Sequence, residues 1–315
     1  MPETDKPHIY SAEVGLVGRH KGFLEAVNIE PWVFVANDPP GLHEVMNLAH
    51  YGGIVLSIGF FQDNGTWNTV EGSAVMVGPG IVATATHVFE ELTDRIKLSQ
   101  LRMILACAVG DNLRVWFPRK FHTCVGTDIS IIEVELISEL PQDRLFVQAA
   151  LTTRLPAIGE AIMLVGFRAS ERHVEAIDHV YFPKTEGQLR FGLSAFCSVG
   201  YVTQHNLGET ASIVPGVTVT TDCAALGGMS GGPAFDCFGH VFGILSASAH
   251  SPDGTAHSTV SLIAQALAVR AQPSFIPGYF TGEAPTLLSN RLVTLEGREL
   301  VSMGNDPDRL EIEGW

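Results

Sequence analysis

Thirty-two glycines and 17 prolines divide this 315-residue chain into pieces too short for long helices. Glycine breaks regular structure through excess backbone freedom, proline through a fixed φ and a missing N–H. Between the breaks lie short apolar or alternating runs: Gly53–Phe61, Gly72–Val77, Asn112–Phe117, Asp128–Leu136, Ala161–Phe167, Ser198–Gln204, Gly216–Thr221 and His240–Ser246. Several are rich in Val and Ile. Many short strands with turn signals between them predict an all-β barrel or sandwich. Only Val88–Ile96 and Leu262–Arg270 read as short helices. A fold of alternating helices and parallel strands would need repeated long amphipathic segments, which the chain lacks.

With 46% hydrophobic and 17% charged residues, the chain can bury a sizeable core, and global disorder is excluded. Its length suits one large or two ordinary domains. Residues 1–50 read as an irregular extension, with Asn37-Asp38-Pro39-Pro40-Gly41 as a strong breaker, and a seam near Glu139–Arg144 divides the remainder. No internal repeat or low-complexity tract is visible. The last 20 residues hold six acids and two arginines, the pattern of a solvated face or tail, with an interaction tail as the sharper reading.

The net charge of −15 argues against a nucleic-acid partner, which is gripped through Lys and Arg, and against an anionic membrane surface. No apolar run reaches the ~18–20 residues of a membrane span. The start, Met1-Pro2-Glu3-Thr4-Asp5-Lys6-Pro7, lacks the basic and apolar regions of a secretory signal. Five widely spaced cysteines, with no Cys-x-x-Cys pair, support neither a disulfide framework nor a zinc site. Small core residues in a reducing cytoplasm are the expectation.

The chemistry concentrates in three segments. Gly227-Gly228-Met229-Ser230-Gly231-Gly232-Pro233 sets a serine among glycines. A nucleophilic serine needs a tight bend that exposes its oxygen, and backbone N–H groups aimed where a substrate oxygen becomes negative. It also needs a base. Twelve histidines make one candidate alone weak, but His87 follows the apolar run Gly80–Ala85 and its small residues. Its bland reading is a hydrogen-bonded histidine at a strand end. Asp128 heads the apolar run Ile129-Ser130-Ile131-Ile132, where an isolated aspartate is usually a turn cap.

Together the segments Thr84-Ala85-Thr86-His87, Asp128-Ile129-Ser130-Ile131 and Gly228–Pro233 resemble the trypsin-like (chymotrypsin-fold) serine peptidases, in the order His, Asp, Ser. Asp128 follows His87 by 41 residues and Ser230 follows Asp128 by 102. The resemblance covers about residues 50–270. It implies two antiparallel six-stranded β-barrels with the active site in the cleft between them: an N-terminal extension at 1–50, barrels at 51–140 and 141–272, and an acidic C-terminal extension at 273–315.

Within that family, Thr221-Asp222-Cys223-Ala224 and Thr86-His87-Val88 resemble the HtrA-type branch. The chain departs from it in having no signal or anchor, too little sequence after the barrels for a PDZ domain, and Met229 where that branch has Asn. Secreted relatives carry Asp at that place for zymogen activation and flanking cysteines; here Met229, Val88 and Leu226 stand instead.

The resemblance implies catalytic His87, Asp128 and Ser230, and an oxyanion hole from the N–H groups of Gly228 and Ser230. It implies that Ser246 abuts the aspartate, that Ser246-Ala247-Ser248 line the specificity pocket, and that Ala224 forms its floor. Asp222 is not a pocket floor on this alignment, and His250 or His257 offer a weaker route to an acidic preference. The expected activity is hydrolysis of polypeptides after small or medium apolar residues, gated by a regulatory protein partner or a terminal segment, with no cofactor and no metal. The alternative is a catalytically silent barrel that binds peptides as a scaffold.

Overall fold

The computed structural model describes residues 8–14, 26–28, 41–45, 53–62, 68–90, 92–98, 101–109, 112–138, 146–171, 174–177, 187–207, 214–250, 254–272, 283–290, 293–303 and 310–312. Twelve of its strands build two closed antiparallel barrels of six strands each. The first contains β1 (Val55–Phe61), β2 (Asn68–Gly78), β3 (Ile81–Ala85), β4 (Arg102–Val109), β5 (Asn112–Thr123) and β6 (Ile129–Leu136). Its order is β2-β1-β4-β5-β6-β3, closed by β2 against β3. The second contains β7 (Ala161–Phe167), β8 (Ala195–Asn206), β9 (Thr218–Thr221), β10 (Pro233–Phe235), β11 (Val241–His250) and β12 (Ala256–Leu262). Its order is β10-β7-β8-β9-β12-β11, closed by β10 against β11. Numbered from its own first strand, each barrel runs 1-2-3-6-5-4 around the ring.

Closure removes the exposed edges that an open sheet would present. Phe60, Leu56, Ile58 and Trp116 are among the fully buried side chains of the first barrel, and Phe242, Leu164, Val219 and Val260 of the second. β6 is buried along its whole length, including its two acids. Glu133 meets Lys120 Nζ at 3.2 Å and His122 Nε2 at 3.0 Å, and Glu135 pairs with Arg119. Partners supplied by β5 are what allow carboxylates at these positions.

Several expectations change here. The helix expected over Val88–Ile96 is two short ones, α1 (His87–Glu90) and α2 (Thr93–Lys97). The helix expected at Leu262–Arg270 shrinks to one 3₁₀ turn at Ile263–Ala266, because Leu262 still belongs to β12. The first 50 residues are not irregular throughout. His8–Val14 pairs antiparallel with Gly187–Leu193, Ala26–Asn28 pairs parallel with Phe146–Gln148, and Gly41–Glu44 adds antiparallel to β8. Near the other end, Leu287 and Val293 are buried in the larger core, and Leu295–Glu296 pairs parallel with Leu151–Thr152. The breaker at 37–40, the seam at 139–144 and, within the acidic run, residues 304–309 and 313–315 lie outside the described residues. Among the described residues no helix is long and apolar enough to cross a membrane.

Candidate active site

The register of the first barrel brings His87 and Asp128 together. Ala85 at the end of β3 pairs with Ile129 at the head of β6. One residue further, Thr86 N–H donates to Asp128 O at 3.1 Å, and Thr86 Oγ1 meets Ser130 Oγ at 2.8 Å. His87 then opens α1, whose Val88 and Phe89 are buried. Val88 occupies the space above Gly72, where a Cβ would stand 2.3 Å from Val88 Cγ1. Phe89 packs on Phe121 with ring centroids 5.0 Å apart. These contacts fix the helix and therefore the imidazole.

Both oxygens of Asp128 are used on His87. The main-chain N–H of His87 donates to Oδ1 at 3.1 Å, and Nδ1 lies 2.8 Å from Oδ2. The aspartate side chain is 10% exposed and the histidine 46%. An ionised carboxylate only accepts, so Nδ1 carries the proton and Nε2 of the neutral ring is left as the basic nitrogen.

Ser230 belongs to the second barrel, on the turn that leads into β10. Met229 N–H donates to Leu226 O at 3.1 Å and Gly232 N–H to Met229 O at 3.0 Å. The Met229 side chain is fully buried, and its sulfur accepts the Leu226 N–H at 3.3 Å. It thus takes an apolar anchoring role inside the barrel. Gly231 N–H donates to Leu245 O and Leu245 N–H to Gly232 O, tying the turn to β11. At Gly228 the backbone needs glycine: φ is +92°, and a Cβ would lie 2.2 Å from Ala169 N. The turn also reaches across to the first barrel. Gly231 packs against Thr84 and Ala85, two residues before His87, and Ser73 N–H donates to Ser230 O at 2.8 Å. Ser73 played no part in the sequence reading.

Among the described residues, neither the N–H of Gly228 nor that of Ser230 meets an acceptor.

The residues expected at the pocket gather on β11, β12 and the segment before the serine turn. Ser258 Oγ donates to Cys223 O at 2.8 Å, holding that segment against β12. Ala224 and Ala247 are half-buried and Ser248 is exposed. Ser246 is buried at a register shift between Leu245↔Val260 and Ala247↔Thr259. Its hydroxyl is joined to Ser261 Oγ at 2.8 Å, while Asp128 receives its bonds from His87. The Asp222 carboxylate turns to the backbone of β8, where Oδ1 accepts the Tyr201 N–H at 2.5 Å. His257 lies on β12 opposite Ala249, and the side chain of His250 lies outside the described residues. Among the described residues no cluster of His, Cys, Asp or Glu is suited to hold a metal ion.

Comparison with protein families gives a match over residues 72–244 to the trypsin-like peptidase domain. The chain belongs to the trypsin-like peptidase family. The matched span runs from β2 to β11 and contains His87, Asp128 and Ser230. Similar solved structures include the MamO protease domain from Magnetospirillum magneticum in its apo form, 14% identical over 68% of this chain and 93% of that one, with a TM-score of 0.44. The active form of the Rv3671c protease from M. tuberculosis is 15% identical over 82% of this chain and 96% of that one, at a TM-score of 0.46. The HtrA-type protease AlgW with a tripeptide is 16% identical over 69% of this chain and 59% of that one, at a TM-score of 0.45. The match thus spans less than two thirds of AlgW. No curated protein matches in sequence.

Proposed function

We propose that this trypsin-like peptidase domain is an active serine endopeptidase that cleaves polypeptides through a His87–Asp128–Ser230 triad. Nε2 of His87 takes the Ser230 hydroxyl proton as Oγ attacks the peptide carbonyl. The N–H groups of Gly228 and Ser230 receive the oxyanion of the tetrahedral intermediate. The histidine proton passes to the leaving amine, and water, deprotonated by the same nitrogen, releases the acyl group from Oγ. Asp128 keeps the ring in the tautomer that this sequence requires. The observation that carries the reading is the double attachment of His87 to both Asp128 oxygens, at 3.1 and 2.8 Å.

The pocket formed by Ala224, Ala247 and Ser248 would be neutral, favouring small or medium apolar side chains over cations. Asp222, engaged with β8, supports that assignment. Gating is assigned to the N-terminal segment. Ala169 N–H holds Gly227 O at 2.6 Å, and the excursion beyond Ala169 includes Gly187–Leu193, the partner of His8–Val14.

The test is a fluorophosphonate probe together with a peptide-hydrolysis assay. Wild type should label at Ser230 and hydrolyse peptides. Ser230→Ala and His87→Ala should each lower kcat by several orders of magnitude, with the double variant scarcely worse than either. An unlabelled wild type without hydrolysis would return the chain to a scaffold role.

A further inference from the structure

We propose that Ser73, on the first barrel, is a positioning residue that aims the oxyanion donors carried by the second; the proposal rests on the peptidase reading above. Ser73 is fully buried, and each of its polar groups is spent at the junction of the barrels. Pairing of β2 with β3 extends only to Val75↔Ala83 on this side, and beyond it the Ser73 N–H turns to Ser230 O at 2.8 Å. The Ser73 carbonyl accepts from Thr84 Oγ1 at 2.7 Å. Its hydroxyl donates to Gly228 O at 2.7 Å and accepts the Phe167 N–H of β7 at 2.8 Å.

Peptide geometry turns these bonds into an aiming device. Each peptide unit is planar, so an N–H points opposite the carbonyl of its own unit, and holding the carbonyls of the units on either side limits how far that unit can rotate. Along the serine turn, Gly227 O is held by Ala169 N–H and Met229 O by Gly232 N–H. The two remaining carbonyls, Gly228 O and Ser230 O, are both held by Ser73. They flank the Met229–Ser230 peptide, whose N–H is one of the two candidate oxyanion donors. The other donor belongs to Gly228 itself, a residue at φ +92° that has the backbone freedom to turn away. The neighbourhood accommodates a serine and little more. A Cβ on Gly166 of β7 would come within 2.9 Å of Ser73 Oγ. Removing the hydroxyl leaves both Gly228 O and Phe167 N–H without this partner, in a site closed to water.

Ser73→Ala is measured beside wild type and Ser230→Ala for thermal midpoint, kcat, KM, product-peptide affinity and inhibition by a peptide aldehyde. The aldehyde forms a tetrahedral adduct that uses the oxyanion donors, whereas the product does not. Losing one such donor outright costs about 10²–10³ in kcat, so misaiming should cost about 10- to 100-fold. The expected result is that fall in kcat, with KM and product affinity within about threefold of wild type. The aldehyde Ki should rise by about the factor that kcat/KM falls. If Ser73→Ala does not fold, Ser73→Cys, close in size but a weak donor, carries the same test. Wild-type kcat and aldehyde affinity in the folded variant, or a loss confined to KM, overturns the role of Ser73 alone. A wild type that neither hydrolyses peptides nor labels at Ser230 removes the peptidase reading, and this proposal with it.

Discussion

Gly231 of the second barrel and Ser73 of the first meet so closely that a Cβ on Gly231 would stand 2.1 Å from the Ser73 carbonyl oxygen. The same atom would lie 2.2 Å from Thr84 Oγ1, and φ at Gly231 is +85°. Gly231→Ala therefore adds a backbone strain of about 1–2 kcal/mol to a clash with main-chain atoms that cannot move alone. A stability loss of about 3 kcal/mol or more in urea denaturation is expected, together with loss of hydrolysis. Gly159→Ala is the control: φ is +83°, but no heavy atom lies within 4 Å of the added Cβ. It should cost only about 1–2 kcal/mol and leave activity intact.

Substrate preference should be insensitive to Asp222. Its carboxylate is committed to the Tyr201 N–H, a bond that an amide oxygen can also accept. Asp222→Asn should fold and keep the wild-type order of kcat/KM across peptides varied at the residue before the cut. Val, Leu, Ala or Met should exceed Arg or Lys by at least about tenfold, since an unpaired cation costs several kcal/mol to bury. A basic preference that disappears in Asp222→Asn would reassign the pocket.

Arg154 ties two acids of the second barrel together. It bonds both oxygens of Glu160 and reaches Asp236 Oδ2 at 2.7 Å, and Asp236 is fully buried. Burial alone would raise the pKa of Glu160, but the bonds from Arg154 and the Ala157 N–H outweigh it and hold the carboxyl down to about 2. The folded value lies below the unfolded one of 4.5, so this stabilisation is complete above pH 4.5 and fades as the pH falls toward 2. Thermal midpoints between pH 3 and 6 should slope less in Glu160→Gln than in wild type. Arg154→Ala should cost about 3 kcal/mol at neutral pH, because it strands a buried carboxylate.

The cysteines should react in an order set by burial. Burial pushes the thiols of Cys107 up to about 11 and of Cys124 and Cys223 up to about 12. Cys237 is exposed, though burial and the neighbouring Glu160 still raise it. Titration with a disulfide reagent at pH 8 should find Cys237 first and half-buried Cys197 next. Cys107, Cys124 and Cys223 should appear only after unfolding.

Where a strand alternated or ran apolar between turn signals, the sequence was readable. Ala161–Phe167 is bounded in the structure by the same residues. The run read as Asn112–Phe117 continues to Thr123, because Pro118 sits at a register shift where its missing N–H costs the ladder nothing. β4 and β12 went unread for opposite reasons. Met103-Ile104-Leu105-Ala106-Cys107-Ala108-Val109 runs apolar but has no Gly, Pro, Asn or Asp in Lys97–Arg102 to mark its start, and Ala256–Leu262 is too polar for a core strand until its hydroxyls find Cys223 O and Ser246. His87, Asp128 and Ser230 were legible because their residue types and order carry the chemistry. Ser73 was not, since its partners Phe167 and Gly228 lie 94 and 155 residues away. The shared strand order of the two barrels left no trace of a repeat, because a barrel strand constrains only which residues face inward.

The pairing of His8–Val14 with Gly187–Leu193 has a consequence for how the molecule is made. A ribosome adding about 5–20 residues per second needs roughly 10–40 s to travel from one strand to the other. During that interval β1 to β6 are complete and contain every partner their own ring requires. Among the described residues, His8–Val14 meets its partner only once the second barrel is under way. The same holds for Gly41–Glu44, whose partner is β8. His8–Val14 and Gly41–Glu44 are therefore made long before they can find their places, and a nascent chain halted before residue 187 would carry a closed barrel with these two strands still waiting.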